Sequence, residues 1–261
     1  MDPASLIGLA IGFGAIIMAI LLEGASPMSV FLPAPMVLVF LATFGVAMAG
    51  GTLRDTIYAL KQLPAAFTRK PSNAAASVDT IVSLAEQARR EGLLALEDAA
   101  KDIENDFLRD GLRSAIDGTD PEDLRDILED KIAAKRAEDK VGYKFYDDMG
   151  GYAPTIGIVG TVVSLVHVLE NLADPSELGH MIAAAFLATF WGIFTANVMW
   201  LPIGSRLKRI SNLECDEMEI ILEGLLAVQA GSNPRLVGER LRSLIPSTSA
   251  PPAPKVAKEA A

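Results

Sequence analysis

Apolar residues fall in four blocks set apart by charged stretches: Leu6 to Leu22, Pro35 to Ala49, Tyr152 to Leu172, and Met181 to Ile203. Each approaches or meets the roughly 17–25 residues that a membrane-spanning helix needs. They predict spans at about 5–23, 35–53, 151–172 and 181–204. The second block is the shortest, and a buried core helix also fits it. Between the second and third blocks the pattern changes to charged residues with apolar ones at helical spacing. Val78, Ile81, Leu84 and Ala88 form one such set, and Leu93, Leu96, Ala100, Ile103 and Phe107 a second. The second span is expected to run on past Gly50-Gly51 toward Arg54, and Pro64 to Ser72 reads as a break. Asp120-Pro121-Glu122 reads as an N-cap followed by proline at the first helical position. It opens a helix leading through Tyr143 and Tyr146 to Gly150. After the fourth block an amphipathic helix continues from Arg206 to Val228, Asn233-Pro234 ends it, and a short helix closes at Leu244. From residue 246 the chain is rich in Pro, Ala and Ser, a composition that predicts a disordered tail.

The basic residues orient these blocks. All 23 Lys and Arg lie in two zones, Arg54 to Lys144 and Arg206 to Lys258. Basic residues beside membrane helices mark the cytoplasmic side, so an even number of crossings must join the two zones. The expected fold is all-α: an integral membrane protein with four transmembrane helices in two hairpins and a cytoplasmic helical domain between them. The expected organisation is a first hairpin over 1–53, a cytoplasmic domain over 54–148, a second hairpin over 149–204, C-terminal cytoplasmic helices over 205–245 and the tail. Both termini are then cytoplasmic.

Composition narrows the function. The chain is 51% hydrophobic and carries a formal net charge of −10, so it offers no basic face for nucleic acid. Asp2, with no Lys or Arg before the first apolar run, argues against a secretory signal. The single cysteine, Cys215, permits no intrachain disulfide. Neither a metal-ligand cluster nor a nucleophile–base pair is visible, so no enzyme and no cofactor are expected.

The third block carries the chemistry. In a helix, Pro154, Gly157, Thr161, Ser164 and Val168 share one face. A helix that only dissolves in lipid needs no such stripe, and proline leaves a carbonyl one turn back without its donor. The stripe reads as one wall of an ion path whose charged carrier comes from another chain. On the fourth block Ala185, Thr189, Gly192 and Ala196 form a narrow face that could pack against Gly157 and Thr161. The plain alternative is close packing, with each threonine hydroxyl bonded to its own preceding turn. Pro202 is either a hinge or a helix end before Gly204. His167 reads better as an interfacial or packed side chain than as a proton relay. In the charged domain, seven-residue spacing puts Arg90 and Glu97 on one helix face with Arg89 beside them, which by spacing alone is a solvated face.

Three segments then resemble a known family: Ala153 to Val162 (APTIGIVGTV), Ala188 to Ile203 (ATFWGIFTANVMWLPI) and Arg89 to Glu97 (RREGLLALE). Together with the two hairpins around a cytoplasmic helical domain, they resemble the MotA/PomA stator subunits of the bacterial flagellar motor, within the MotA/TolQ/ExbB superfamily. The resemblance runs from Leu6 to about Leu244. It implies a homopentamer ringing the single membrane helices of a MotB/PomB-type subunit dimer, whose aspartate carries H+ or Na+. It implies an ion path at Pro154, Gly157, Thr161 and Thr189, with any Na+ held at Thr161 and Thr189. It implies coupling through Pro154 and Pro202, and contact with the rotor protein FliG through Arg89, Arg90 and Glu97. Ala188 stands where some sodium-driven members have a further threonine. The implied location is the bacterial inner membrane, in contact with lipid. An ExbB/TolQ-type energiser of an envelope complex is the nearest alternative, but it has three spans with the large cytoplasmic part after the first. A self-sufficient secondary transporter would carry its own intramembrane ionisable residues.

Overall fold

The computed structural model describes residues 3–69, 72–172 and 175–246, and these are helical with short connections. The chain divides into two compact units, one of Met1–Lys70 and Glu138–Ile210 and the other of Pro71–Ala137 and Ser211–Ala261.

The first unit begins with α1 (Pro3–Leu22), a 3-10 turn at Pro27–Val30, and α2 (Pro33–Ala49). The second span does not run on toward Arg54. The helix stops at Gly50, and Thr52 caps a new one, α3 (Leu53–Thr68). The Asp55 backbone N–H donates to the Thr52 hydroxyl at 3.2 Å, and the Thr52 N–H donates to the Asp55 carboxylate at 2.9 Å. Such a reciprocal capping box satisfies the donors that every helix start leaves open. It also holds the Asp55 carboxyl below the usual carboxylate value, chiefly through the Thr52 backbone N–H. α3 passes straight through Pro64, and the break expected between Pro64 and Ser72 falls at Arg69. Its buried face is Thr56, Ala59 and Ala66, and the buried Tyr146 hydroxyl donates to the Ala59 carbonyl at 2.9 Å. Burial pushes that phenol up to about 12, so it stays a donor at any physiological pH.

The second unit is built from α4 (Ala74–Glu91), the four-residue α5 (Leu96–Ala99), α6 (Asp106–Ile116) and α10 (Pro234–Leu244), with parts of α7 (Pro121–Glu170) and α9 (Leu201–Gln229). Asn73, Asn105 and Asn233 each accept a backbone N–H at a helix start, and Asp120 does the same before Pro121 at α7. Val78, Ile81, Leu84 and Ala88 of α4 are buried, as their spacing predicts. The set from Leu93 to Phe107 is not one helix. Gly92 adopts φ +84°, a conformation that favours glycine, and the chain then advances through two 3-10 turns around α5. Glu223 ties this unit together by accepting from Arg125 at 2.9 Å and Arg240 at 2.7 Å.

α7 is unbroken through Pro154. α8 (Pro175–Thr195) starts earlier than the expected 181 and leads into a five-residue π turn, Ala196–Trp200, before α9. Pro202 therefore does not end a helix; it is the second residue of α9. Lacking an N–H, it cannot donate to the Val198 carbonyl four residues back, and the π turn accommodates that gap. Two helical stretches meet the length and hydropathy of a membrane span, Pro121–Glu170 and Leu178–Gln229, while the apolar helices Ile7–Leu22 and Pro33–Ala49 are shorter. The expected disordered tail lies outside the described residues, apart from Pro246.

Candidate functional site: a hydroxyl pair on a glycine seam

α7 and α8 touch backbone to backbone. A Cβ built on Gly157 would lie 2.7 Å from the Ala188 carbonyl oxygen, and one on Gly192 would lie 2.6 Å from that of Ala153. Only glycine fits at either position. Gly160 is nearly as confined, with Leu38 of α2 and Ala188 above it. The small faces expected to meet do meet. Much of the stripe on α7 is therefore a packing surface within this chain, since Gly157 and Val168 are buried and Ser164 is half-buried.

At one edge of this seam Thr161 and Thr189, both half-buried, are hydrogen-bonded to each other through their hydroxyls. Thr161 Oγ1 also lies 3.0 Å from the Ala185 carbonyl and 3.1 Å from the Gly157 carbonyl. Thr161 has one hydroxyl proton, and carbonyls only accept. The arrangement that satisfies both groups has Thr189 donating to Thr161, which donates onward to a carbonyl. The bond to the preceding turn and the bond across the seam therefore occur at the same oxygen. The result is a cluster of four oxygens, two hydroxyl and two carbonyl, with no sulfur or imidazole. An all-oxygen donor set suits a hard cation, and linked hydroxyls suit the passing of a proton. Pro154 sits half-buried two turns away on the same face of α7.

The loop between α1 and α2 is fastened close by. Trp191 Nε1, two residues beyond Thr189, donates to the Val30 carbonyl at 2.8 Å, and its ring meets Phe31 and Phe40 at 5.5 and 6.1 Å. Nothing in the spacing of the chain pointed to this contact. His167 is exposed, 3.7 Å from Glu170.

Pro202 and its neighbours form a second contact with α7. Leu201 packs on Gly150, where a Cβ would lie 2.5 Å from it, and one turn on, Gly204 faces the carboxylate of Asp147. Asp147 lies seven residues before Pro154, so extending the stripe back by two turns would have found it.

Arg89, Arg90 and Glu97 belong to the second unit, and the expected arrangement on one helix face is not what forms. The two arginines end α4, Gly92 breaks it, and Glu97 stands on α5. The buried Leu96 fixes α5 in the core, and Gln87 Nε2 donates to the Ala95 carbonyl at 3.2 Å. Arg89, Arg90 and Glu97 are all exposed.

Known proteins share this architecture. The profile of the MotA/TolQ/ExbB proton channel family matches residues 99–220, a stretch that includes Pro154, Gly157, Thr161, Thr189 and Pro202 but not Arg89, Arg90 or Glu97. Motility protein A of Bacillus subtilis is 33% identical, over 95% of this chain and 92% of its own. Chemotaxis protein PomA of Vibrio alginolyticus is also 33% identical, over 94% of this chain and 96% of its own. The C. jejuni MotAB structure superposes with a TM-score of 0.90 at 28% identity, covering 95% of this chain and 97% of that one. The flagellar MotAB stator complex of Bacillus subtilis gives 0.86 at 32% identity, covering 94% and 97%. The chain belongs to the MotA/TolQ/ExbB proton channel family, among its motility protein A members.

Proposed function

We infer that this chain is an ion-conducting stator subunit of the bacterial flagellar motor, working with a MotB-type subunit. The observation that carries this reading is the hydroxyl pair Thr161–Thr189, held on a glycine seam within a chain alike over nearly its whole length to stator subunits. Among the described residues that seam carries no carboxylate, as befits a path whose ion-carrying aspartate belongs to the partner. The ExbB/TolQ-type reading is less supported, because the full-length relatives are motility proteins.

In this reading the chain lies in the bacterial inner membrane, with four spans and both termini cytoplasmic. The shorter helices α1 and α2 form the first hairpin, and α7 with α8 forms the second. Five copies ring a dimer of the partner. A cation entering from outside passes Pro154 and the hydroxyls of Thr161 and Thr189, which the close approach at Gly157 holds together, and neutralises the partner's aspartate. That removes the cost of a charge in a low-dielectric site. The neutral partner helix turns past one subunit and releases its ion inward. Each ion yields ~2.3 kcal/mol per 100 mV, about four times thermal energy. Pro154 and Pro202 let α7 and α9 shift as the ion passes. Arg89, Arg90 and Glu97 hand the motion to the rotor protein FliG by charge contacts.

The test is swimming in a strain deleted for this gene and complemented with wild type or Thr161→Ala, in sodium and then in potassium. Paralysed, flagellated cells rescued by wild type support the stator reading. Speed lost without sodium assigns a sodium path; speed kept in potassium but lost to a protonophore assigns a proton path. A deletion that swims normally, with no second stator gene, overturns the reading.

A further inference from the structure

We propose that Asp147 is the cytoplasmic acceptor of the transported cation, the carboxylate that takes the ion released by the partner's carrier. The proposal rests on the stator reading above and adds a residue to its path.

The placement argues for it. Asp147, Gly150, Pro154, Gly157 and Thr161 fall on one face of α7, a single unbroken helix. At about 1.5 Å per residue, Asp147 lies roughly 10 Å to the cytoplasmic side of Pro154. Across from it α9 carries glycine at position 204, and any Cβ there would collide with the Asp147 carboxylate and crowd its backbone N–H at 3.2 Å. The carboxylate is thus seated against the turn that holds Pro202. The other carboxylate at this level, Asp148, is paired with Lys144 at 2.7 Å, whereas Asp147 has no ion pair among the described residues. Besides its burial, three neighbouring charges act on it. Lys144 on α7 and Lys208 on α9 both favour its ionised form, and Asp148 opposes it. Lys208 Nζ lies over the Tyr143 ring, 5.8 Å from its centre, one turn further toward the cytoplasm. Burial outweighs the lysines and lifts the Asp147 carboxyl above the ordinary value, so it accepts a proton more readily than an exposed aspartate.

For a proton the step balances simply. The O–H bond of the partner's carboxylic acid breaks and leaves a carboxylate, while an O–H bond forms on Asp147. That bond then breaks to bulk water, giving hydronium and restoring the Asp147 carboxylate. A sodium ion would be held by the same carboxylate as an ion pair and then hydrated.

The experiment measures rotation of tethered and low-load motors in the complemented deletion strain. Internal pH is lowered stepwise with benzoate at fixed external pH, and assembled units are counted from discrete speed increments. Asp147→Asn should assemble normally yet turn about tenfold more slowly at low load, below the ~10²–10⁴ of a typical proton-transfer group because release is one step of several. Asp147→Glu should recover most of that loss. Lys208→Met, which keeps the carboxylate but removes a charge that favours its ionisation, should bring on inhibition by internal acid at a higher internal pH. Asparagine motors with wild-type speed and wild-type acid response overturn the proposal. So does a glutamate variant as slow as asparagine with normal assembly. If asparagine fails to assemble, an unshifted acid response in Lys208→Met overturns it alone. Failure of the wild-type gene to restore rotation would instead overturn the stator reading.

Discussion

Thr161 and Thr189 stand 28 positions apart in sequence and share one hydrogen bond across the α7–α8 seam, at an oxygen that also faces the Ala185 and Gly157 carbonyls. Their hydroxyls therefore work as a unit. Thr161→Val and Thr189→Val keep the shape and remove one oxygen each, so each single variant should slow the motor about as much as the double. A double variant slowed by the product of the two single effects would mean independent roles.

Gly192→Ala puts a methyl 2.6 Å from the Ala153 carbonyl, on backbone that has no rotamer to move. The expected cost is about 1–3 kcal/mol, as for other overpacked sites. It should be visible as less assembled protein in the membrane and a lower melting temperature in detergent. Gly8→Ala, where nothing lies within 4 Å of the added methyl within this chain, is the control.

Trp191→Phe keeps the aromatic ring and removes the donor to the Val30 carbonyl. A net loss of about 1 kcal/mol follows, or about 2–4 °C in melting temperature for a protein of this size. A Ser29→Cys label should react faster in the Trp191→Phe background, because the loop is no longer pinned. Unchanged labelling would show that the ring contacts alone hold it.

Arg89→Glu and Glu97→Lys change exposed charges that no buried partner needs. Protein level and membrane assembly should stay at wild-type values while swimming is lost or much reduced. Normal swimming in the double variant would remove these residues from the rotor contact.

The position of Asp147 carries a stability cost with a definite sign. Its folded carboxyl is raised, so the folded state holds the proton more tightly than the unfolded chain. Its contribution is complete below the ordinary carboxylate value and is lost as pH rises through the higher folded value. Asp147→Asn should therefore flatten the melting temperature between mildly acidic and neutral pH, and be at least as stable as wild type at neutrality. A variant clearly less stable at neutral pH would contradict this.

Hydropathy blocks, the Asp120-Pro121 cap and the small faces at Gly157 and Gly192 were legible because each is a local pattern with one structural solution. The break at Gly50–Thr52 was not, since an apolar helix and the polar one that follows it read as a single run until the Thr52–Asp55 box is seen. Arg90 and Glu97 misled for a related reason. Seven-residue spacing predicts a shared face only while the helix continues, and Gly92 ends it. Trp191 to Val30 joins positions 161 residues apart, a distance that no periodicity reports. The π turn before Pro202 was hidden because the sequence shows a proline without showing how the backbone absorbs it.

The glycine contact between α7 and α8 has a consequence for genetics. Where two side chains pack together, a larger residue on one side can be rescued by a smaller one on the other. Gly157 and Gly192 face backbone, and no residue is smaller than glycine. Neither position can be rescued by the other, so revertants of a Gly192 mutant should be true reversions or changes that move a whole helix, as at Pro154, Pro202 or the π turn between Ala196 and Trp200.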